Sequence, residues 1–192
     1  MRRSVDIALV RGPDDSGGSA RMPLPPLGML HVAAALEQAG WRVAVVDAAG
    51  EGLDESGFLQ RLRTLRPEVI GLSGMTPMRH LIARDLRRIR PLCEKVVLGG
   101  VHATRFQQQA LDELPGVDAL VIGEGEAPAG GLMSWWSGGG HGAPPPESWC
   151  GTGPSWRPQC PAIWMPSPGR RDTSLPTTDI ATSFRPGRAS RR

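Results

Sequence analysis

Short apolar runs alternate with longer amphipathic stretches over the first two thirds of the chain. Val5–Val10, Val43–Val46, Val69–Ser73, Val96–Leu98 and Ala119–Ile122 are brief and rich in β-branched residues. Runs of that length, apolar at successive positions, fit strands buried on both faces. The segments between them repeat at helical spacing. Leu27–Ala39 offers Leu30, Val32, Ala33 and Ala34 as an apolar face and stops at Gly40. Leu53–Arg66 spaces Leu59, Leu62 and Leu65 along one side and ends at Pro67. Met78–Ile89 sets Leu81, Ile82, Leu86 and Ile89 opposite an arginine-rich face, and Pro91 closes it. Phe106–Leu114 predicts a fourth helix. Strands alternating with helices through short connections predict an α/β fold, a five-stranded parallel sheet in a flavodoxin-like or Rossmann-like three-layer sandwich. The right-handed crossover rule leaves few topologies, and the order 2-1-3-4-5 is expected.

Beyond Glu126 the periodicity is lost. Residues 128–192 are dense in proline, glycine, arginine and tryptophan, with Trp135-Trp136 adjacent and Pro144-Pro145-Pro146 in a row. No element is assigned there, and the expected division is a domain over residues 1–127 and a tail over 128–192. That composition is what GC-rich DNA yields when read out of frame, so a frameshift or other truncation near Ala127–Ala129 is one expected origin. A disordered extension is the other, because Pro- and Gly-rich polar segments cannot bury enough surface to order themselves.

Charge follows the same division. Seven arginines against Glu147, Asp172 and Asp179 give the tail +4, and the front, with 15 basic and 16 acidic side chains, stands at −1. The front therefore has no basic stripe suited to nucleic acid. Lys95 is the only lysine and tyrosine is absent, a codon bias rather than a binding signal. Cys93, Cys150 and Cys160 are too few and too scattered for a disulfide framework or a zinc site, and Cys93 reads as a reduced, buried thiol. The start shows no secretory signal, and no apolar stretch approaches the roughly 20 residues of a membrane span. A soluble cytoplasmic protein with no nucleic-acid or membrane partner is expected.

Four segments stand where a strand hands over to a helix: Pro25-Pro26-Leu27-Gly28, Ser73-Gly74-Met75-Thr76-Pro77, Gly99-Gly100-Val101-His102-Ala103-Thr104, and Gly123-Glu124-Gly125-Glu126. In an open parallel sheet these loops share the carboxyl edge of the strands, where ligands bind. Prolines suit a helix entrance. Ser73 and Thr76 bring hydroxyls beside a helix start, either to donate to a large cofactor or to cap the helix. The paired Gly99 and Gly100 let backbone approach a ligand closely, with His102 and Thr104 expected to project from the loop. Gly123 and Gly125 do the same after the last strand, and Glu124 and Glu126 can accept from a hydroxyl or an amide, although acids at a helix start also favour its dipole. Asp47 closes the second strand, but no G-x-G-x-x-G follows the first, so a nicotinamide site fails at its most specific point and Asp47 reads as a loop or cap residue.

Taken in order and spacing, these segments resemble the cobalamin-binding domain at the front of cobalamin-dependent radical S-adenosylmethionine enzymes, over roughly residues 1–127. The resemblance implies cobalamin as cofactor, bound through Pro26, Leu27, Gly28, Ser73, Met75, Thr76, Gly99, Gly100, His102, Thr104, Gly123, Glu124, Gly125 and Glu126. It also implies that the cobalamin is base-off with no histidine on cobalt, and that His102 sits near the corrin without coordinating it. In agreement, Asp14-Asp15 is followed by no histidine of the Asp-x-His-x-x-Gly kind. The CxxxCxxC spacing that would hold an iron–sulfur cluster is absent from the three cysteines. No cluster, no catalytic residue and no radical chemistry are therefore expected from these residues, and a separate or lost radical domain is the implied partner of a methyltransferase-type parent. The alternative is a small flavodoxin-like enzyme or nucleotide-binding protein using the same edge. A phosphoacceptor receiver is rejected, because the third strand ends in Ser73 rather than aspartate.

Overall fold

Five parallel strands carry the apolar runs: β1 (Ile7–Arg11), β2 (Val43–Asp47), β3 (Val69–Ser73), β4 (Lys95–Gly99) and β5 (Ala119–Leu120). They lie in the order β2-β1-β3-β4-β5, the flavodoxin-like order expected from the sequence. Leu9 stands opposite Val45 on one side and Gly71 on the other, and Ser73 pairs with Gly99, so the carboxyl ends of the central strands are level. The computed structural model describes residues 4–13 and 24–139. The expectations for residues 140–192 lie outside the described residues.

Among the described residues the α-helices are α1 (Leu27–Gln38), α2 (Ala48–Glu51), α3 (Glu55–Leu65), α4 (Arg79–Ile89), α5 (Val101–Phe106), α6 (Gln108–Glu113) and α7 (Glu126–Ser137). Alternate side chains of each strand enter opposite layers. Ile7, Leu9, Val69, Val97, Ala119 and Val121 form one core with Met29, Ala33 and Leu36 of α1 and Ala129, Leu132 and Met133 of α7. Ala8, Val10, Ile70, Leu72, Val96 and Leu98 form the other with Phe58, Leu62, Ile82, Leu86, Ile89 and Leu111. Gly71 lets the two central strands share the first core, since a Cβ there would come within 2.6 Å of Leu9 Cδ2.

Local chemistry fixes several ends. The Asp54 carboxylate accepts from the Gly57 N–H at 2.8 Å and caps α3. That bond, with help from the Ser56 hydroxyl, holds its pKa below the ordinary carboxylate value. Asp47, read as a cap, is one: it accepts from the Gly50 N–H at 3.0 Å at the start of α2 and pairs with Arg11. At the opposite end of the sheet burial pushes the Cys93 thiol up to about 11, so it stays protonated and unreactive near neutral pH. No helix among the described residues is long and apolar enough to cross a membrane.

Three elements differ from the sequence expectation. In α1 the buried positions are Met29, Ala33 and Leu36, whereas Leu30 and Ala34 face outward; alanine and leucine occur all round this helix, so spacing alone did not select the face. The single helix expected over Phe106–Leu114 is two, broken at Gln107, whose φ of 40° lies outside the helical region. Most consequential is α7, in a stretch where no element was assigned. Gly130-Gly131 and Trp135-Trp136 blur its period, yet Pro128, Ala129, Leu132 and Met133 are buried. A parallel sheet must be covered on both faces, and α7 covers the half that α1 leaves open. The expected boundary at residue 127 falls within its first turn.

Candidate ligand-binding edge

Three of the four segments singled out by sequence touch one another at the carboxyl edge, and the helix that the first one opens packs on the fourth. The third joins the second: the His102 N–H donates to the Gly74 carbonyl at 3.3 Å. Gly100 has φ +88° and ψ −171°, a conformation open essentially to glycine alone, and a Cβ on it would stand 3.0 Å from Ser73 Oγ and 3.2 Å from the Gly74 carbonyl oxygen. The fourth joins the third, because the Gly123 N–H donates to Thr104 Oγ1 at 3.0 Å. Helix α1, which the first segment opens, packs on the fourth segment and on α7. A Cβ on Gly125 would come within 2.7 Å of Val32 Cγ2, and His31 Nδ1 lies 3.8 Å from Glu126 Oε1.

These contacts reassign several expected roles. Gly125 permits close helix packing, so its lack of a side chain is already explained within the protein. Thr104 does not project into solvent; its hydroxyl accepts the Gly123 hydrogen bond that ties the loops after β4 and β5. His102 does not project either. It belongs to α5, is 1% exposed, and its ring packs on Phe106 with centroids 5.1 Å apart. Both of its ring nitrogens lack a hydrogen-bond partner. Ser73 and Thr76 were weighed as helix caps, but α4 begins at Arg79 with Met78 as cap residue and no side-chain cap bond. Ser73 and Glu124 are exposed, while Gly99 and Thr76 are half-buried. Pro26 is the cap residue of α1.

Gly28 is different. In the first turn of α1 a Cβ on it would touch nothing within 4 Å. A glycine in a helix costs roughly 1 kcal/mol relative to alanine, and no packing among the described residues requires one here. Among the described residues the exposed large hydrophobics are Leu24, Leu27, Leu30, Met75 and Val101. Every one follows the carboxyl end of β1, β3 or β4. Leu27 and Met75 are among the expected cofactor-binding residues; Leu24, Leu30 and Val101 are not. The available signal was an apolar residue between loop residues, which the eye assigns to the core.

Gly12 and Pro13, directly after β1, are fastened to α4. A Cβ on Gly12 would overlap the carboxylate of Asp85, which is buried on α4. Arg84 bonds Asp85 Oδ1 at 3.0 Å and the Pro13 carbonyl at 2.7 Å. The edge therefore combines a rigid base, an apolar rim and open backbone at Gly28. Among the described residues no cluster of three His, Cys, Asp or Glu side chains could hold a metal ion. The arrangement suits a broad, largely apolar ligand with polar edges.

Comparison with known proteins agrees with that chemistry. The family model described as the B12 binding domain matches residues 15–132. The anaerobic magnesium-protoporphyrin IX monomethyl ester cyclase of Rubrivivax gelatinosus is 34% identical over 105 residues, covering 53% of this chain and 19% of that protein. The cytidylyl-2-hydroxyethylphosphonate methyltransferase of Streptomyces wedmorensis is 27% identical over 121 residues, covering 53% of this chain and 22% of its own length. The chain thus spans about a fifth of the length of these relatives. Among solved structures, the radical S-adenosylmethionine methyltransferase TsrM from Kitasatospora setae, with cobalamin and a [4Fe-4S] cluster bound, shares the fold. Its TM-score is 0.60 at 22% identity, over 70% of this chain and 25% of that one. The cobalamin-dependent radical enzyme OxsB shares it too, with a TM-score of 0.58 at 18% identity, over 70% of this chain and 19% of that one.

Proposed function

Because the chain belongs to the B12-binding domain family, we propose that its carboxyl edge holds cobalamin base-off, with no protein histidine on cobalt, as the cofactor module of a radical S-adenosylmethionine methyltransferase-type system. One observation carries this reading. Leu24, Leu27, Leu30, Met75 and Val101, the exposed large hydrophobics among the described residues, gather at the one edge where an open parallel sheet binds ligands. A corrin ring is broad and flat, with an apolar body and amide-bearing margins, and such a rim matches its body. Gly28 leaves room for close approach, and the exposed Ser73 and Glu124 can reach amides or hydroxyls at its margin.

The reading without histidine on cobalt is supported by the loop after β1, residues 12–26, which contains no histidine, and by His102, which is enclosed against Phe106; the exposed His31 stands beside Glu126. The folded cofactor unit would run through α7 rather than end at residue 127. When bound, cobalamin would supply methyl-transfer or radical-supporting chemistry, which belongs to the cofactor. This chain's residues would bind it, orient it and keep water from one side of it. The cluster-bearing partner would come from outside these residues, since no CxxxCxxC occurs among them.

Replacing rim residues tests the reading without touching the core. Burying an apolar side chain is worth about 1.5–3 kcal/mol in full, and Met75 and Val101 are 49% and 64% exposed before any ligand covers them. The double variant Met75→Ser/Val101→Ser is expected to bind hydroxocobalamin about tenfold more weakly or worse, while its thermal unfolding stays within about 2 °C of the parent. Unchanged affinity would remove the rim from the site.

A further inference from the structure

We propose that Arg11 and Arg84 are positioning residues of the carboxyl edge, tethering the two ends of the connection between β1 and α1 so that Leu24 stands where the ligand meets it. The inference rests on the cobalamin reading above and goes beyond it by giving a role to side chains placed behind the rim. Each guanidinium is paired with a carboxylate of its own and also donates to a main-chain carbonyl. Arg11 meets Asp47 through Nε at 2.5 Å and Nη2 at 2.6 Å, and Nη2 reaches the Leu24 carbonyl at 3.5 Å. Arg84 meets Asp85 through Nε at 3.0 Å and donates from Nη2 to the Pro13 carbonyl at 2.7 Å. Pro13 lies just after β1 and Leu24 just before α1, so the two carbonyls mark the two ends of one connection.

Ion pairs so placed are poor choices for stability alone. Side-chain exposure is 19% and 16% for Arg11 and Asp47, and 18% and 6% for Arg84 and Asp85, so all four charges have given up most of their water. Apolar side chains of similar volume hold layers together as well or better, but they carry no direction. A guanidinium is a planar fork, and fixing it on a carboxylate aims its N–H groups at set places. The carboxylates are themselves fixed. Asp47 accepts from the Gly50 N–H at 3.0 Å, and Asp85 lies so close to Gly12 that a Cβ there would stand 1.7 Å from its Oδ2. Leu24 is 66% exposed, so its main chain, more than any packing of its side chain, decides where it stands.

The test is a double-variant cycle read as hydroxocobalamin affinity of the 192-residue chain. Lysine keeps a positive charge beside each carboxylate but loses the fork, so Arg11→Lys and Arg84→Lys are each expected to bind about threefold more weakly. Leu24→Ser is expected to lose about threefold as well, but only about 1.5-fold or less when introduced into Arg11→Lys, because residues that act as a unit are not additive. A merely structural role would leave the two losses to multiply to about ninefold. Met75→Ser/Val101→Ser, on other loops, is expected to multiply fully with Arg11→Lys. Arg84→Lys combined with Leu24→Ser decides the question if Arg11→Lys does not fold. Losses that multiply fully with Leu24→Ser, or arginine variants that bind as tightly as the parent, overturn the positioning role and leave the cobalamin site standing. A parent that binds no hydroxocobalamin overturns both.

Discussion

A chain ending at Glu126 is expected to lose cooperative unfolding at room temperature, while one ending at Gly139 keeps it. The difference is α7. Leu132 and Met133 are 7% and 5% exposed, and they lie over Ile7, Leu9, Val97 and Val121. Burying a leucine or methionine contributes about 1.5–3 kcal/mol, so these two side chains alone account for about 3–6 kcal/mol. Removing them also uncovers the strand residues beneath. Whole domains are stable by only about 5–15 kcal/mol, so the shorter chain is left at or beyond the edge of folding. Circular dichroism through a thermal ramp decides it. Equal, cooperative transitions in the two chains would show that α7 is an accessory and that the unit closes near residue 127.

The second large effect is expected from Gly100→Val. Gly100 combines a backbone conformation reserved for glycine with neighbours too close for a Cβ, at 3.0 Å and 3.2 Å. Forcing a side chain there costs about 1–3 kcal/mol for the backbone alone, and a β-branched one also pushes against Ser73 and Gly74. The loops after β3 and β4 must then separate, breaking the His102–Gly74 hydrogen bond that joins them. Cobalamin affinity is expected to fall at least about tenfold, with the melting temperature lowered by several degrees. A Gly100→Val protein that binds and melts like the parent would mean that the two loops do not act as one surface.

Much of this fold is written in the chain's periodicity. Val69–Ser73 was read with its observed limits, and the strand order followed from alternation and crossover handedness, because a doubly covered parallel sheet produces continuous apolar runs that little else produces. Helices were harder. α3 and α4 carry clear one-sided stripes with charge opposite, whereas α1 is apolar on all sides, and its exposed Leu30 could be distinguished from its buried Leu36 only by packing. For α7 the pattern was masked by two glycines and two tryptophans, but the sheet itself implied a cover. Ile7, Leu9 and Val121 needed something to lie against, and counting layers would have found the helix that periodicity did not.

The edge was legible as a set of loops and not as a set of roles. Gly100 answers to Ser73 and Gly74, Gly125 answers to Val32, and Thr104 answers to Gly123. A sequence lists which residues follow a strand; it does not say which of them face each other across the gap. His102 shows the limit most clearly. A loop histidine suggests an exposed ligand, but one turn of helix beginning at Val101 carries the ring inward to Phe106.

The most direct test of the central claim is a spectral titration of the 192-residue chain with methylcobalamin and hydroxocobalamin. Saturable binding, with the methylcobalamin absorption moving to its base-off position, is the predicted result. A folded chain that leaves both spectra unchanged at every concentration would contradict the assignment of the carboxyl edge to cobalamin. Saturable binding with the base-on spectrum retained would keep the cofactor and contradict its proposed ligation.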